Sequence, residues 1–325
     1  MKLKQVSNHC YAVINEKNRL GDANSGLINL GGGVVIDTQF DLPHARQMIE
    51  KFSTVWMGMP KQVVNTHEDA DHVLGNQLFA GAEIIAHRSV PGRMKEVADP
   101  AEIKLLLWAI RFALVRGILK YLHPGVLALG QQMAEDFDFD GIELTFPTTL
   151  FEDRHALNLD GTEVQLIHVG PGHQMGDTLI YIPDENVLFA GDVLFRACTP
   201  IGWTGTYAGW YKTLDLIVKL NPAVVVPGHG PITDVKGVKE MKAYLEYVRE
   251  LAKTFFDAGY PSVEAAKKID IGPYANWSAP ARLWLNVERA YREFRGEAAD
   301  APWDRKKAFN IALKIAKAQG FPIEF

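Results

Sequence analysis

The chain has 325 residues, enough to bury a large core in one elaborated domain or two. With 47% hydrophobic and 22% charged residues it has the composition of an ordinary globular protein, and a net charge of -5 argues against a nucleic-acid binder that works by neutralising phosphates. Cys10 and Cys198 are too few for a disulfide framework, and with no apolar stretch in the first nine residues to serve as a secretory signal they point to a cytoplasmic protein.

Residues 5–37 read as strands. The run 11–15 enters a polar turn at 21–24, and 26–30 and 33–37 pair around a glycine turn. Asp37 closes the last of these apolar strands, where its carboxylate is expected to bond nearby backbone N–H groups as a structural residue. Leu42, Ala45, Met48, Ile49 and Phe52 have helical spacing. A strand at 61–66 then enters the hexamer His67-Glu68-Asp69-Ala70-Asp71-His72, a helix-like run follows at 73–79, and 82–86 is another short strand. Strand pairs alternating with surface helices mark a layered α/β protein.

Residues 91–150 break that pattern. The stretch 102–132 is helical and rich in apolar residues, split once at Pro124-Gly125, and too charged to span a bilayer. It reads as a helical insertion, either packed on the core or presented as a lid or a homodimer face. The carboxylates of 136–141 have the spacing of a calcium loop without the rest of its signature. Strands resume at 155–159 and 163–168 and lead into the turn Gly170-Pro171-Gly172-His173. A hairpin over 178–182 and 187–192 ends on Asp192, after an apolar strand where a bare carboxylate is expensive. Residues 208–219 form a helix, and the apolar run 223–226 repeats the device of a strand, a Pro-Gly turn and a histidine, His229. Residues 237–325 read as helical, with breaks near 259–261 and 271–279.

The hexamer places potential metal ligands on a strand-to-helix turn. Residues two apart in an extended segment point the same way, so His67 and Asp69 converge on one point, while Asp71 and His72 reach a second. Crowded carboxylates repel one another, and a bound dication removes that repulsion. Three further strand ends deliver His173, Asp192 and His229, and together with the hexamer they signal a two-metal site.

This arrangement resembles the metallo-β-lactamase superfamily, whose pattern is His-x-His-x-Asp-His, then Gly-His, Gly-Asp after an apolar strand, and a final Gly-His. The corresponding residues here are 67–72, Gly172-His173, Gly191-Asp192 and Gly228-His229, with Asp37 at the early strand-end aspartate. The resemblance implies a four-layer αββα sandwich with the metals at one edge. It divides the chain into a unit over 1–235, carrying the insertion at about 91–150, and a helical C-terminal extension, 236–325, packed on the same unit. It also implies that His67, position 69 and His173 hold one metal, that Asp71, His72 and His229 hold the other, and that Asp192 bridges them. The family's second histidine is Asp69 here, as in the flavodiiron branch, although no flavodoxin-like segment is present.

Metal-assisted hydrolysis of a small molecule is therefore the expected chemistry, with two divalent ions, zinc foremost and iron or manganese as alternatives. A di-iron redox centre is the competing reading. Asp71 would orient the attacking water and take its proton. Thr199, Pro200, Ile201, Trp203, Thr204, Tyr207 and Trp210 follow Asp192 and are expected to line the substrate pocket; the alternative for the aromatic residues is core packing. Cys198, a lone cysteine in the same stretch, is read first as an inert buried residue and second as a pocket residue. His168 is expected to bond a ligand carboxylate from behind. The remaining histidines have no motif context, and nucleic acid and membrane are not expected partners.

Overall fold

The period-two strands of the chain bury one side chain inward and the next outward, and this builds two sheets back to back. The computed structural model describes residues 1–324. The first sheet takes its strands in chain order: β1 (Lys2–Gln5), β2 (Cys10–Ile14), β3 (Ser25–Ile28), β4 (Val34–Ile36), β5 (Gln62–Val64), β6 (Glu83–His87) and β7 (Thr149–Phe151). Pairing is antiparallel from β1 to β4 and parallel from β4 to β7. The parallel steps need crossovers, which α1 (Leu42–Ser53), α2 (Ala70–Val73) and the insertion supply.

The insertion comprises α3 (Val90–Val97), α4 (Pro100–Ala109), α5 (Ala113–Leu122) and α6 (Pro124–Asp136). The single expected break at Pro124 is thus joined by another at 110–112. Arg116 explains it: its guanidinium donates to the carbonyls of Ile110 and Arg111, 2.9 and 2.8 Å away, and so satisfies the end of α4. Leu105, Trp108, Leu114 and Tyr121 of α4 and α5 point outward, Tyr121 with 87% of its surface exposed.

The second sheet contains β8 (Arg154–Leu159), β9 (Thr162–His168), β10 (Thr178–Ile182), β11 (Val187–Phe195) and β12 (Val224–His229), ordered β12-β11-β10-β9-β8. Helix α7 (Tyr207–Leu220) connects β11 to its parallel neighbour β12. The extension adds α8 (Val235–Asp257), α9 (Ser262–Lys268), α10 (Leu283–Phe294) and α11 (Arg305–Gln319).

Alternation along the strands makes the layers visible. Val34, Ile36, Val64 and Ile85 face Leu166, Ile180, Phe189 and Val226 between the sheets. Val35, Val63 and Ile84, one residue out of phase, pack on Met48 and Phe52 of α1. The outer face of the second sheet, with Leu188 and Ala190, is covered by Leu214 and Ile217 of α7, Leu245 and Val248 of α8, and Val287 of α10. The result is an αββα sandwich. Among the described residues no helix is long and apolar enough to cross a membrane.

Candidate metal centre

The carboxyl ends of β4, β5, β9 and β12 open at one edge of the sandwich. Asp37, just past β4, has φ 56°, a left-handed turn that sends its carboxylate back under β5. Its oxygens accept the Thr66 N–H at 2.8 Å, the Thr66 hydroxyl at 2.7 Å and His72 Nδ1–H at 2.8 Å. The Thr66 hydroxyl, having given its proton to Asp37, accepts from His67 Nδ1 at 2.9 Å. One buried carboxylate thereby orients two imidazoles and leaves each Nε2 free to point outward. His173 is turned the same way, its Nδ1–H donating to the Ile201 carbonyl at 2.6 Å.

Strand β11 runs beyond Asp192 to Phe195 instead of stopping at the aspartate. Its register with β12 slips on both sides of Gly191, which pairs with Pro227, while Phe195 pairs with His229. Asp192 thus lies against Gly228, where a Cβ would overlap the Asp192 carboxylate; this close approach requires the glycine of the Pro-Gly-His turn.

Three overlapping groups of side chains result, each with its ligand atoms within 4.8 Å of one another: His67, Asp69 and His173; His67, His72 and Asp192; Asp71, His72 and His229. Asp192 lies between the remaining imidazoles, its oxygens 3.3 Å from His72 Nε2, 3.5 Å from His173 Nε2 and 3.4 Å from His229 Nε2. Asp69 is 3.1 Å from His173 Nε2, and Asp71 is 3.2 Å from His229 Nε2. His67 Nε2, His72 Nε2 and one Asp192 oxygen are buried without a hydrogen-bond partner. Buried polar atoms rarely stay unpaired. Imidazole nitrogens and carboxylates aimed at a common point are the donor set of divalent zinc, iron or manganese, so the residues present fit such ions.

The electrostatics agree. Burial resists charge on every member, yet His173 is held up at about 9 because its hydrogen bond to Asp69 and the charges of Asp192 and Asp69 outweigh burial. Against the same burial, the charges of His229 and His72 hold the Asp192 carboxyl well below its ordinary range. Burial, with His72 beside it, pushes His67 far down, which keeps this imidazole neutral.

The turn that carries His173 has supports the sequence reading missed. The Asp177 carboxylate accepts the N–H groups of Gly172, His173 and Gln174 at 2.9, 2.7 and 3.0 Å. Glu68, inside the hexamer, faces away from the centre and accepts from Met175 and Gly176; burial and the nearby charges of Asp69 and Asp177 push its carboxyl up to about 7. Gln174 Nε2 donates to the free oxygen of Asp69 at 2.5 Å. Glu68 inside the hexamer and Gln174 and Asp177 just after His173 were the available signal.

Other expectations are corrected. Tyr207 and Trp210 are wholly buried: with Leu214 and Ile217 they form the inward stripe of α7, and their polar atoms reach the carbonyls of Asn286 and Val193. Thr204 is buried and turns its hydroxyl to the His173 carbonyl at 3.4 Å, and Thr199, Pro200 and Ile201 lie beneath the surface with it. Cys198 is buried, in line with the reading of a lone cysteine as inert, and burial pushes its thiol up to about 12. Of the expected pocket residues Trp203 comes nearest the surface, with 7% exposed and the Arg305 guanidinium 5.0 Å from its ring. His168 meets no ligand carboxylate. Its Nε2 reaches the Met175 carbonyl at 2.9 Å, and its ring stacks on His87 at 3.6 Å.

Two sheets in αββα layers with histidines and carboxylates converging at one open edge define a metal-binding sandwich. Residues 18–229 match the metallo-beta-lactamase superfamily, and the chain belongs to that family. Over 144 residues it is 31% identical to a metallo-beta-lactamase type 2 of Bacteroides fragilis, a match covering 42% of this chain and 57% of that protein. Over 93 residues it is 27% identical to the acyl-coenzyme A thioesterase MBLAC2 of Homo sapiens, covering 27% of this chain and 33% of the other. The chain thus spans only part of the length of these relatives. Among solved structures, the sec-alkylsulfatase Pisa1 from Pseudomonas sp. superposes with a TM-score of 0.68 over 98% of this chain and 54% of its own, at 18% identity, a likeness of fold.

Proposed function

We propose that the protein is a metal-dependent hydrolase that uses a dinuclear centre to cleave an ester, lactone, amide or related bond of a small molecule. The observation that carries this reading is the convergence of His67, Asp69 and His173 on one side and Asp71, His72 and His229 on the other, with Asp192 between them and unpartnered Nε2 atoms aimed inward. Zinc is the favoured ion, with iron or manganese accommodated by the carboxylates. When bound, such ions supply Lewis acidity and a water acidic enough to attack near neutral pH.

The chain supplies orientation and proton handling. Asp37 and Thr66 fix the tautomers of His72 and His67, and the Ile201 carbonyl fixes that of His173. Asp69 and Asp71 are the most exposed carboxylates of the group, with side chains 16% and 12% accessible, so they face the mouth through which substrate enters. Asp71 is placed to accept the proton of the attacking water at its carboxylate. The edge of Trp203 is the remaining candidate among the expected pocket residues for contact with substrate.

Asp69 supports a second reading, a di-iron redox centre, because a carboxylate at this position is a harder, anionic ligand. Metal analysis of protein purified without added metal separates the two. Zinc together with turnover of simple esters, lactones, amides or phosphodiesters supports hydrolysis; iron with visible absorption and no hydrolytic turnover overturns it.

A further inference from the structure

Beyond β11 the chain from 197 to 206 is mostly buried, forms no helix or strand, and is joined nearly residue by residue to the C-terminal extension. Ser278 N–H donates to the Ala197 carbonyl at 3.1 Å and Thr199 N–H to the Ser278 carbonyl at 2.9 Å. Helix α10 continues the line. At its start Arg282 donates to the Thr199 carbonyl at 3.1 Å, Asn286 to the Pro200 carbonyl at 3.0 Å, and Arg289 to the Gly202 carbonyl at 2.6 Å and to the Thr204 carbonyl. Residues 282, 286 and 289 follow i, i+4, i+7 spacing and so form one stripe of the helix. The stripe passes over two carbonyls of this series: that of Trp203, which accepts Trp303 Nε1–H at 2.8 Å, and that of Ile201, which accepts His173 Nδ1–H.

Arg289 grips both sides of that contact. Besides Gly202 and Thr204 it holds the Gly172 carbonyl, the residue before His173, at 3.0 Å. Arg282, Asn286 and Arg289 are 1%, 0% and 3% exposed, and among the described residues neither guanidinium has a carboxylate within ion-pair distance. Burying two cations against backbone carbonyls is costly. Anchoring α10 does not call for it, because Leu283, Val287 and Ala290, at i, i+4, i+7 spacing, already bury an apolar face. The placement makes sense if the carbonyls themselves must be held.

We propose that Arg289, assisted by Asn286 and Arg282, is a positioning residue for His173: it holds Gly172 and Gly202–Thr204 in place so that the Ile201 carbonyl keeps the proton on Nδ1 and leaves Nε2 for the ion. The C-terminal extension is then part of the metal centre. This rests on the metal-binding part of the proposed function.

The test compares the full-length Arg289→Met and Arg289→Lys proteins with Leu285→Ala, a buried change in the same helix that leaves the carbonyl contacts alone. Zinc stoichiometry and dissociation constants are measured by chelator competition, and the His173 ring signals by nitrogen-detected nuclear magnetic resonance. Arg289→Met is expected to weaken one of two ions by roughly 10–100-fold, as loss of an orienting partner does, and to lose the fixed Nδ1–H signal of His173. Arg289→Lys is expected to fall between, because an ammonium lacks the fork that spans several carbonyls. Leu285→Ala should lower the melting temperature and leave zinc binding unchanged. Wild-type affinities and an unaltered His173 signal in Arg289→Met would overturn the proposal. So would a Leu285→Ala protein that loses zinc equally at the same loss of melting temperature. If Arg289→Met does not fold, Asn286→Ala takes its place with the same expectations in weaker form. A wild-type protein that binds no dication sinks the proposed function, and the ring signal still decides this inference.

Discussion

His72 and His173 are both buried imidazoles turned so that Nε2 faces the same centre, yet different parts of the molecule hold them. His72 is braced by Asp37, a carboxylate at the neighbouring strand end of the same sheet, which also holds Thr66 and through it His67. His173 is braced by the neutral Ile201 carbonyl, in a loop whose shape depends on α10 at the far end of the chain. The first brace is inherent in the sandwich. The second is assembled from three segments, so it is the easier of the two to disturb. A carboxylate partner also makes an imidazole a stronger donor than a carbonyl does. The His72 side is therefore expected to hold its ion more tightly, and chelator should remove the ion on the His173 side first.

Removing the ligands erases the comparison. His173→Ala and His229→Ala are each expected to cost more turnover than the roughly 10–100-fold that losing an orienting partner costs, because each removes a donor from one of the two points. Far-ultraviolet circular dichroism should stay close to wild type, since both histidines lie at strand ends outside the apolar core. Near wild-type turnover in either variant would refute the ligand assignment.

Asp37→Asn tests the stronger brace. Asparagine tolerates the left-handed backbone at this position, so the change removes charge without removing the turn. It is expected to weaken zinc binding most on the His72 side, by roughly 10–100-fold, and less on the His173 side, which it reaches only through Thr66 and His67. Loss of the His173-side ion alone in Asp37→Asn would show that Asp37 is not the brace of His72.

Asp69→His sharpens the contrast from the ligand side. It exchanges an anionic oxygen for a neutral nitrogen, which leaves the metal more positive and its water more acidic. Competitive loading should shift towards zinc over ferrous iron, and the acidic limb of the pH–rate profile should move to lower pH. Identical loading ratios in the two proteins would remove Asp69 from the ligand set.

The smallest effect concerns His87, whose ring is stacked on His168 behind the His173 turn. Burial, then the neighbouring His168, lowers it from 6.5 to about 4. Between these values the unfolded chain binds a proton that the folded chain refuses, so stability rises with pH. Its contribution is complete above about 6.5 and is lost as the pH falls towards 4. His87→Gln should flatten this part of the stability–pH curve in denaturant titrations; an unchanged slope would show that the ring titrates freely in the fold.

The layered α/β pattern, the strand that enters the hexamer and the identity of the converging residues were legible because they are local, and the motif resemblance supplied the αββα sandwich. The continuous apolar runs of β10 and β12 and the Pro-Gly-His turn need only a few neighbouring residues to be recognised. What escaped were contacts across long separations. Nothing near Ile201 announces that its carbonyl meets a histidine 28 residues earlier, or that Arg289 holds Gly202 from 87 residues away. The aromatic residues after Asp192 look like a pocket wall in sequence, and only the inward stripe of α7 turns Tyr207 and Trp210 into core. A trace of α10 was present, since Arg282, Asn286 and Arg289 form a polar stripe at i, i+4, i+7 spacing beside the apolar face of Leu283, Val287 and Ala290.

The sequence by itself determined which side chains can bind a metal and that strand ends present them, because backbone alternation and turn chemistry act over a few residues. Only the tertiary structure decided how those imidazoles are turned, that the Asp37 carboxylate meets His72 Nδ1 and the Ile201 carbonyl His173 Nδ1, and that α10 packs against the loop that carries Ile201. The first depends on neighbouring strand ends of one sheet and the second on packing α10 against that loop, contacts across long separations that no short stretch of the chain encodes.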